Sequence, residues 1–168
     1  MKLAIALHTD RSTLLAAAVA FEEWGAPEAA RTHLSRLALS DKPAPDALAQ
    51  LQLQCLLQLL QAHALAPTVI VLDGLVHLDA QDTPALGRHL YEALGGRAAV
   101  IGVSKAALAH LPAQFQVSRE DEAAAVTVTC AGIDIGAAKA RVRAMHGKRR
   151  VPTLLKLAAR VARGSSTP

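Results

Sequence analysis

Thr68-Val69-Ile70-Val71-Leu72-Asp73-Gly74 is an apolar run that ends in an acid and a glycine. Short, wholly apolar strands are typical of parallel sheets that are covered on both faces. Such a strand places its last residue at the end of the sheet where the parallel strands finish, which we call the sheet edge. The pattern therefore predicts a buried strand over residues 69–72, with the Asp73 carboxylate at the sheet edge.

The segments on either side of this strand predict a mixed sheet. A helical pattern over residues 83–94 leads to a second apolar strand over 98–101, and a strand-helix-strand unit implies parallel pairing. Upstream, residues 2–8, 13–21 and 29–39 read as three strands in series. Neighbouring strands in series favour an antiparallel meander.

The rest of the chain adds helices and a hairpin. A long amphipathic helix is predicted over residues 46–63, and residues 115–117 and 125–130 predict a hairpin. Two basic amphipathic helices follow. This order resembles ribonuclease H-like folds, so we expect an α/β fold with a mixed sheet, an antiparallel meander followed by parallel strands, flanked by helices. We expect a single domain over residues 1–163 and a flexible tail over 164–168.

Composition and charge limit the classes of partner. The chain has 168 residues, of which 52% are hydrophobic. No apolar stretch is long enough to span a bilayer, so the sequence predicts a cytoplasmic protein without a membrane partner. The formal net charge is +4, and the segment from Lys139 to the end has nine Lys or Arg residues and no Asp or Glu. This asymmetry favours a polyanion such as nucleic acid, although a solvated helical face is the alternative.

Five short blocks carry a resemblance to a known family. They are Val71-Leu72-Asp73-Gly74, Gly87-Arg88-His89-Leu90, Ile101-Gly102-Val103-Ser104-Lys105, Lys148-Arg149-Arg150-Val151-Pro152 and Lys156-Leu157-Ala158. In order and spacing they resemble the endonuclease V family, metal-dependent nucleases of the ribonuclease H-like class, over roughly residues 68–162. The resemblance implies that Asp73 is a catalytic metal ligand, that Lys105 faces a phosphate, and that Mg²⁺ is the cofactor.

The same resemblance shows where the metal-binding acids of the family are missing. The first strand contains no acid, Gln52 stands where the family has Glu, and Ala159 stands where it has an acid or His. Mg²⁺ requires several hard oxygen ligands, so Asp73 alone makes a poor site. Asp10, Asp79 or Asp134 are the candidate substitutes.

Two further positions bear on the site that the resemblance implies. His77 lies beside Asp79 in the loop after Asp73 and is a candidate to supplement the metal site. The wedge that the family uses to engage deaminated bases corresponds to residues 43–46, where no aromatic residue is present. Loss of the aromatic removes a surface on which a base stacks.

The sequence therefore predicts an endonuclease V-like nucleic-acid-binding protein with a depleted metal site and weak or absent nuclease activity. The residues expected to contact phosphates are Lys148, Arg149, Arg150, Lys156 and Arg160. One alternative is an active metal-dependent endonuclease on inosine-like, deaminated sites in DNA or RNA, a DNA repair activity. Another alternative is a protein-interaction subunit that reuses the fold.

Overall fold

The computed structural model of the chain describes residues 1–40, 42–106, 111–119 and 125–164. The strands are β1 (Lys2–Thr9), β2 (Thr13–Phe21), β3 (Arg31–Ala38), β4 (Val69–Asp73), β5 (Ala99–Ser104), β6 (Gln116–Val117) and β7 (Val126–Ala131). The helices are α1 (Pro45–Ala62), α2 (Leu86–Ala93), α3 (Ile135–Ala144) and α4 (Thr153–Ala162), with a 3₁₀ turn at Ala113–Phe115.

The strands form one mixed sheet in the order β3-β2-β1-β4-β5-β7-β6. The first three strands are an antiparallel meander, and β1, β4 and β5 are parallel neighbours. Strands β5, β7 and β6 continue the sheet with antiparallel pairs. The predicted ribonuclease H-like sheet is thus confirmed. The predicted hairpin is confirmed in its strands, while its turn near residues 120–122 lies outside the described residues.

Strand β4 lies in the middle of the sheet and has a helical layer on each face. Ile70 and Leu72 pack in the cluster that includes α1 and α2, whereas Val71 packs in the cluster with α3 and α4. Because side chains alternate along a strand, Asp73 projects to the same face as Val71. The α3 and α4 layer therefore covers the face that carries the acid.

The second predicted helix begins later than its sequence pattern indicates. We predicted a helix from residue 83, but α2 starts at Leu86. The preceding loop is closed on itself, because the Leu78 amide donates to the Thr83 carbonyl at 2.9 Å and His77 forms a bridge with Pro84. The third strand is likewise shorter than the predicted 29–39, at Arg31–Ala38.

The faces of α1 and α4 test the helical patterns. Of the five glutamines of α1, the four whose spacing predicts one exposed face are exposed, whereas Gln52 is half-buried. In α4 we expected Leu154, Leu157 and Val161 to face inward, but the latter two are only half-buried. The buried residues are Leu154, Leu155, Ala158 and Ala162. Small alanines let the helix lie close to the sheet, so the buried face shifts toward them. None of the helices in the described part of the chain has the length and hydropathy that a membrane-spanning helix requires.

Candidate functional site

Asp73 is the last residue of β4, and the chain that follows it is held tightly against β5. The Gly74 amide donates to the Val103 carbonyl at 3.0 Å, and the Val76 amide donates to the buried Thr129 hydroxyl at 2.8 Å. This crossing needs Gly102, because a Cβ there would lie 2.6 Å from the Gly74 oxygen. The glycine therefore fixes the backbone that leads away from the acid.

A pocket of about 320 Å³ opens beside Asp73, between the edge of the sheet and α4. Its charged lining residues are Asp73, Lys105, Lys156, Arg160 and Arg163. Its apolar wall is formed by Val151, Leu155 and Ala159. Among the described residues that line it, four are cations and one is an acid. The pocket is therefore suited to bind an anion rather than to concentrate cations.

The carboxyl of Asp73 is shaped by two opposing effects. Desolvation by the surrounding protein raises its pKa, while the charges of Lys105 and Arg163 act to lower it. The side chain is exposed at the pocket mouth, yet it lies in a concave site where neighbouring atoms displace water. Desolvation prevails, so the pKa of Asp73 lies above that of a free aspartate even next to these cations.

The described residues do not provide the ligands of a Mg²⁺ site. No group of three or more His, Cys, Asp or Glu side chains converges anywhere in this part of the chain. On β1, Ala6 follows Ile5, the register partner of Leu72, and Ala159 lines the pocket on α4. Gln52 is half-buried on α1, which packs on the opposite face of the sheet. A divalent ion that prefers several anionic oxygens does not fit this set.

The three acids considered as substitutes bind backbone amides elsewhere. Asp10 accepts from the Arg11 amide at 2.7 Å in the turn between β1 and β2. Asp134 caps the N-terminus of α3. Asp79 accepts from the Thr83 hydroxyl at 2.6 Å, and this bond lowers its pKa. These carboxylates stabilise local turns and do not line the pocket.

The two histidines near the resembling blocks also lie outside the pocket. His77 is buried, its Nδ1 is 2.8 Å from the Asp79 carbonyl oxygen, and its ring packs edge-on against Phe115. His89 is exposed on α2. His77 therefore organises the loop after Asp73 from within.

The structure places the five residues that we predicted to contact phosphates at three locations. Lys156 and Arg160 line the Asp73 pocket together with Lys105. Lys148 lines a second pocket, while Arg149 and Arg150 lie on the loop between α3 and α4. The prediction did not place Arg163 in the site. The sequence spacing could have identified it, because Arg163 lies seven residues after Lys156 and three after Arg160, on the same helical face.

Arg119 is a functional candidate that our sequence-based prediction did not include. It is 5% exposed, and its guanidinium donates to the carbonyl oxygens of Arg149 at 2.8 Å, Gly147 at 3.0 Å and Met145. Burial lowers its pKa. Arg119 thereby ties the basic loop between α3 and α4 to the end of β6.

Solved structures with the same architecture come from several organisms. An endonuclease V from Bacillus subtilis superposes with a TM-score of 0.75 at 15% identity, over 98% of this chain and 79% of that one. The Streptomyces avermitilis endonuclease V gives 0.70 at 22% identity, over 97% and 79%. A variant of Ciona intestinalis endonuclease V, in complex with an inosine-containing DNA, gives 0.74 at 17% identity, over 98% and 84%.

The chain has an endonuclease V-like fold. The predicted resemblance is thereby confirmed at the level of architecture. No protein-family model and no curated protein sequence matches the chain. The endonuclease V-like fold brings Asp73 to a sheet edge, but the charge of the pocket is set by the side chains that this chain places around it.

Proposed function

We propose that the protein binds nucleic acid through its phosphates and that metal-dependent cleavage is lost or strongly weakened. The observation that carries this proposal is the Asp73 pocket, in which four cations surround one carboxylate. The cations are Lys105, Lys156, Arg160 and Arg163. Phosphate groups bind such clusters because neutralisation releases counterions from the strand. Binding of this kind is independent of sequence and sensitive to salt.

The fold supports the choice of nucleic acid over other polyanions. The Ciona endonuclease V of the same architecture was solved in complex with DNA that contains an inosine followed by a ribo-adenosine. A strand that enters the equivalent edge of this sheet meets Lys105 at the end of β5 and the cations of α4. The basic composition of the C-terminal segment supports the same partner.

The composition of the pocket supports weak or absent cleavage. Phosphodiester hydrolysis by this class of site needs a metal to activate water and to neutralise the reacting phosphate. Ala6 follows the register pair of Ile5 and Leu72 on β1, Ala159 lines the pocket, and neither side chain can bind a metal. Because Asp73 is the one carboxylate of the lining, we expect it to reduce the positive charge of the phosphate pocket.

The proposal is tested with plain and inosine-containing oligonucleotides, single- and double-stranded, in Mg²⁺ and then in Mn²⁺. We expect salt-sensitive binding without nicking. The Lys156→Ala/Arg160→Ala variant should bind more weakly than Arg36→Ala/Arg97→Ala. This control also removes two positive charges, but at positions outside the pocket. Metal-dependent nicking that is abolished by Asp73→Ala would overturn the loss of cleavage. Equal binding by the two double variants would overturn the phosphate pocket.

One observation favours a second candidate, an active metal-dependent endonuclease on inosine-like sites in DNA or RNA. Asp73 and Lys105 line the same pocket at the ends of adjacent parallel strands, where a metal ligand and a phosphate contact would be placed. The nicking assay separates the two candidates, because only the second predicts cleavage that requires Asp73.

A further inference from the structure

A second basic pocket, of about 820 Å³, lies between the end of α3, the residues after β6 and Gly25. Its lining includes Arg119, Arg143, His146 and Lys148. Among the described residues that line it, none is acidic. Three of these side chains are arginine or lysine, so this pocket is also suited to an anion.

Arg119 binds the backbone carbonyl oxygens that would otherwise repel an anion in this pocket. The C-terminus of α3 and the loop after it present carbonyl oxygens, which carry partial negative charge. The guanidinium of Arg119 donates to three of them, on Met145, Gly147 and Arg149. With these oxygens covered, Arg143 and Lys148 determine the charge that a ligand meets.

The loop that carries Lys148 is held in one conformation. The Thr153 amide donates to the His146 carbonyl at 2.9 Å, and His146 Nδ1 is 3.0 Å from the Thr153 hydroxyl. Gly147 has a φ of +119°, and a Cβ there would lie 2.6 Å from the same hydroxyl. A loop fixed in this way loses little conformational entropy when it binds a ligand.

The two basic pockets are neighbours along the chain. Lys148 lines the second pocket, and Val151 lines the pocket at Asp73. Three residues span at most about 11 Å even when extended. A nucleic-acid strand advances about 3.4 Å per nucleotide along a duplex axis. Lys148 and Val151 are therefore no farther apart than roughly three nucleotides of one strand, and Arg149 and Arg150 lie between them in the chain.

We propose that this pocket is a second phosphate-binding site and that one nucleic-acid strand places phosphates in both pockets at once. The inference rests on the proposed function, since the Asp73 pocket provides the first contact. It assigns ligand-binding roles to Arg143 and Lys148 and a positioning role to Arg119. The recognised group is the phosphodiester of a single strand, irrespective of its bases.

The test compares three double variants with the wild type in binding a fluorescent oligothymidylate dodecanucleotide over a range of salt concentrations. The variants are Arg143→Ala/Lys148→Ala, Lys156→Ala/Arg160→Ala and the control Arg36→Ala/Arg97→Ala. Each lost phosphate contact lowers the slope of log affinity against log salt by about 0.7 for single strands. We therefore expect both pocket variants to lose about 1.4 of slope, and the control to keep the wild-type slope.

The outcomes separate this inference from the proposed function. If Arg143→Ala/Lys148→Ala behaves as the control while Lys156→Ala/Arg160→Ala loses slope, the second site is overturned and the first stands. If only Arg143→Ala/Lys148→Ala loses slope, the second site stands and the Asp73 pocket is overturned as a phosphate site. Failure of the wild type to bind the dodecanucleotide overturns both.

Trp24 provides a readout beside the second pocket. It is the only tryptophan of the chain, it precedes Gly25 of the pocket lining, and its ring lies 5.6 Å from the Arg141 guanidinium. We expect its emission to change when the dodecanucleotide binds the wild type or Lys156→Ala/Arg160→Ala. The change should be lost in Arg143→Ala/Lys148→Ala. An unaltered response in that variant overturns the second site.

Discussion

Ala6 lies beside Asp73 at the same level of two parallel strands, because the register pairs Ile5 with Leu72 one residue earlier. Ala6 is fully buried in the cluster that includes α3 and α4, the face from which Asp73 projects. The β1 position beside the acid is thus a methyl group, and the β5 residue paired with Asp73 is Val103. An acid placed there is the simplest way to raise the negative charge of the pocket.

The Ala6→Asp variant should gain a stabilisation by metal that we do not expect in the wild type. Without a metal, the new buried carboxylate should lower Tm, because its charged form is poorly solvated. Two carboxylates on one edge should then hold Mn²⁺, and saturation at 100-fold above Kd stabilises by about 2.7 kcal/mol. A rise in Tm of about 5–10 °C is expected on adding Mn²⁺ to the variant. Thermal unfolding in EDTA and in Mn²⁺ measures it.

Ala4→Asp is the matched control for this experiment. Ala4 pairs with Val71 two residues deeper on the same buried face, away from the pocket. It should lose stability in the same way without recovery in Mn²⁺. Equal stabilisation of the wild type by Mn²⁺ would contradict the depleted site.

Asp73→Asn should stabilise the protein at neutral pH. The raised pKa of Asp73 means that the folded state binds more protons than the unfolded state between the ordinary value of 3.8 and the folded value. Stability therefore falls as the pH rises through the folded pKa. The advantage of the neutral amide should be present above that pKa and vanish below 3.8. Unfolding curves of the wild type and Asp73→Asn, measured from acid to neutral pH, test this. A stability difference that does not shrink toward acid pH would contradict desolvation of the carboxyl.

The same substitution should tighten the binding of a nucleic-acid strand. A unit charge 4–6 Å from a phosphate costs about 0.7–1 kcal/mol in water, so its removal should increase affinity about three- to sixfold at low salt. The wild type should gain part of this affinity as Asp73 becomes protonated, whereas Asp73→Asn should show no such pH dependence. Weaker binding by the variant would indicate that the carboxylate itself contacts the ligand, for example through a metal.

The sequence predicted the centre of the sheet better than the site that the sheet supports. An apolar run before Asp73 is visible in one sequence, because burial on both faces requires it at consecutive positions. The location of the acid at a sheet edge followed from this run. Likewise, the glutamine spacing on α1 identified its exposed face without any knowledge of its partners.

Contacts between distant residues were not visible in the sequence. Arg119 binds carbonyl oxygens about 26–30 residues away. Every residue has a backbone carbonyl, so the sequence does not show which of them accept these hydrogen bonds. Alanine fits both buried and exposed positions, so the alanines of α4 do not reveal which face of the helix packs on the sheet. Packing in the folded protein therefore decides that Arg163 faces Asp73. The assignment of Asp79 to a turn depended on the Thr83 hydroxyl, a contact that forms only in the folded loop.

Arg119→Met should loosen the basic loop and destabilise the protein. The substitution removes hydrogen bonds to three carbonyl oxygens, and bonds from a charged donor contribute about 1.5–3 kcal/mol each, of which rehydration of the loop recovers part. We expect a net loss of about 2–4 kcal/mol and a Tm lower by about 5–15 °C. Arg143→Ala, at an exposed position, should change stability by at most about 0.5 kcal/mol.

Limited digestion with trypsin distinguishes loosening of this loop from general unfolding. Lys148, Arg149 and Arg150 offer cleavage sites within the segment that Arg119 holds. We expect cleavage there to be faster in Arg119→Met than in the wild type at temperatures well below either Tm. Equal cleavage rates would show that the loop is held by other contacts.

Gly102→Ala should disturb the backbone next to Asp73 and weaken both stability and binding. A Cβ at this position would lie 2.6 Å from the Gly74 oxygen and 2.8 Å from the Thr129 hydroxyl. The chain after Asp73 must then move, and overpacking of this kind costs about 1–3 kcal/mol. Gly25→Ala is the control for stability alone, because its Cβ would meet its nearest atom at 3.7 Å. Chemical denaturation and oligonucleotide affinity measure the two effects, and wild-type values for Gly102→Ala would show that the loop yields without displacing the acid.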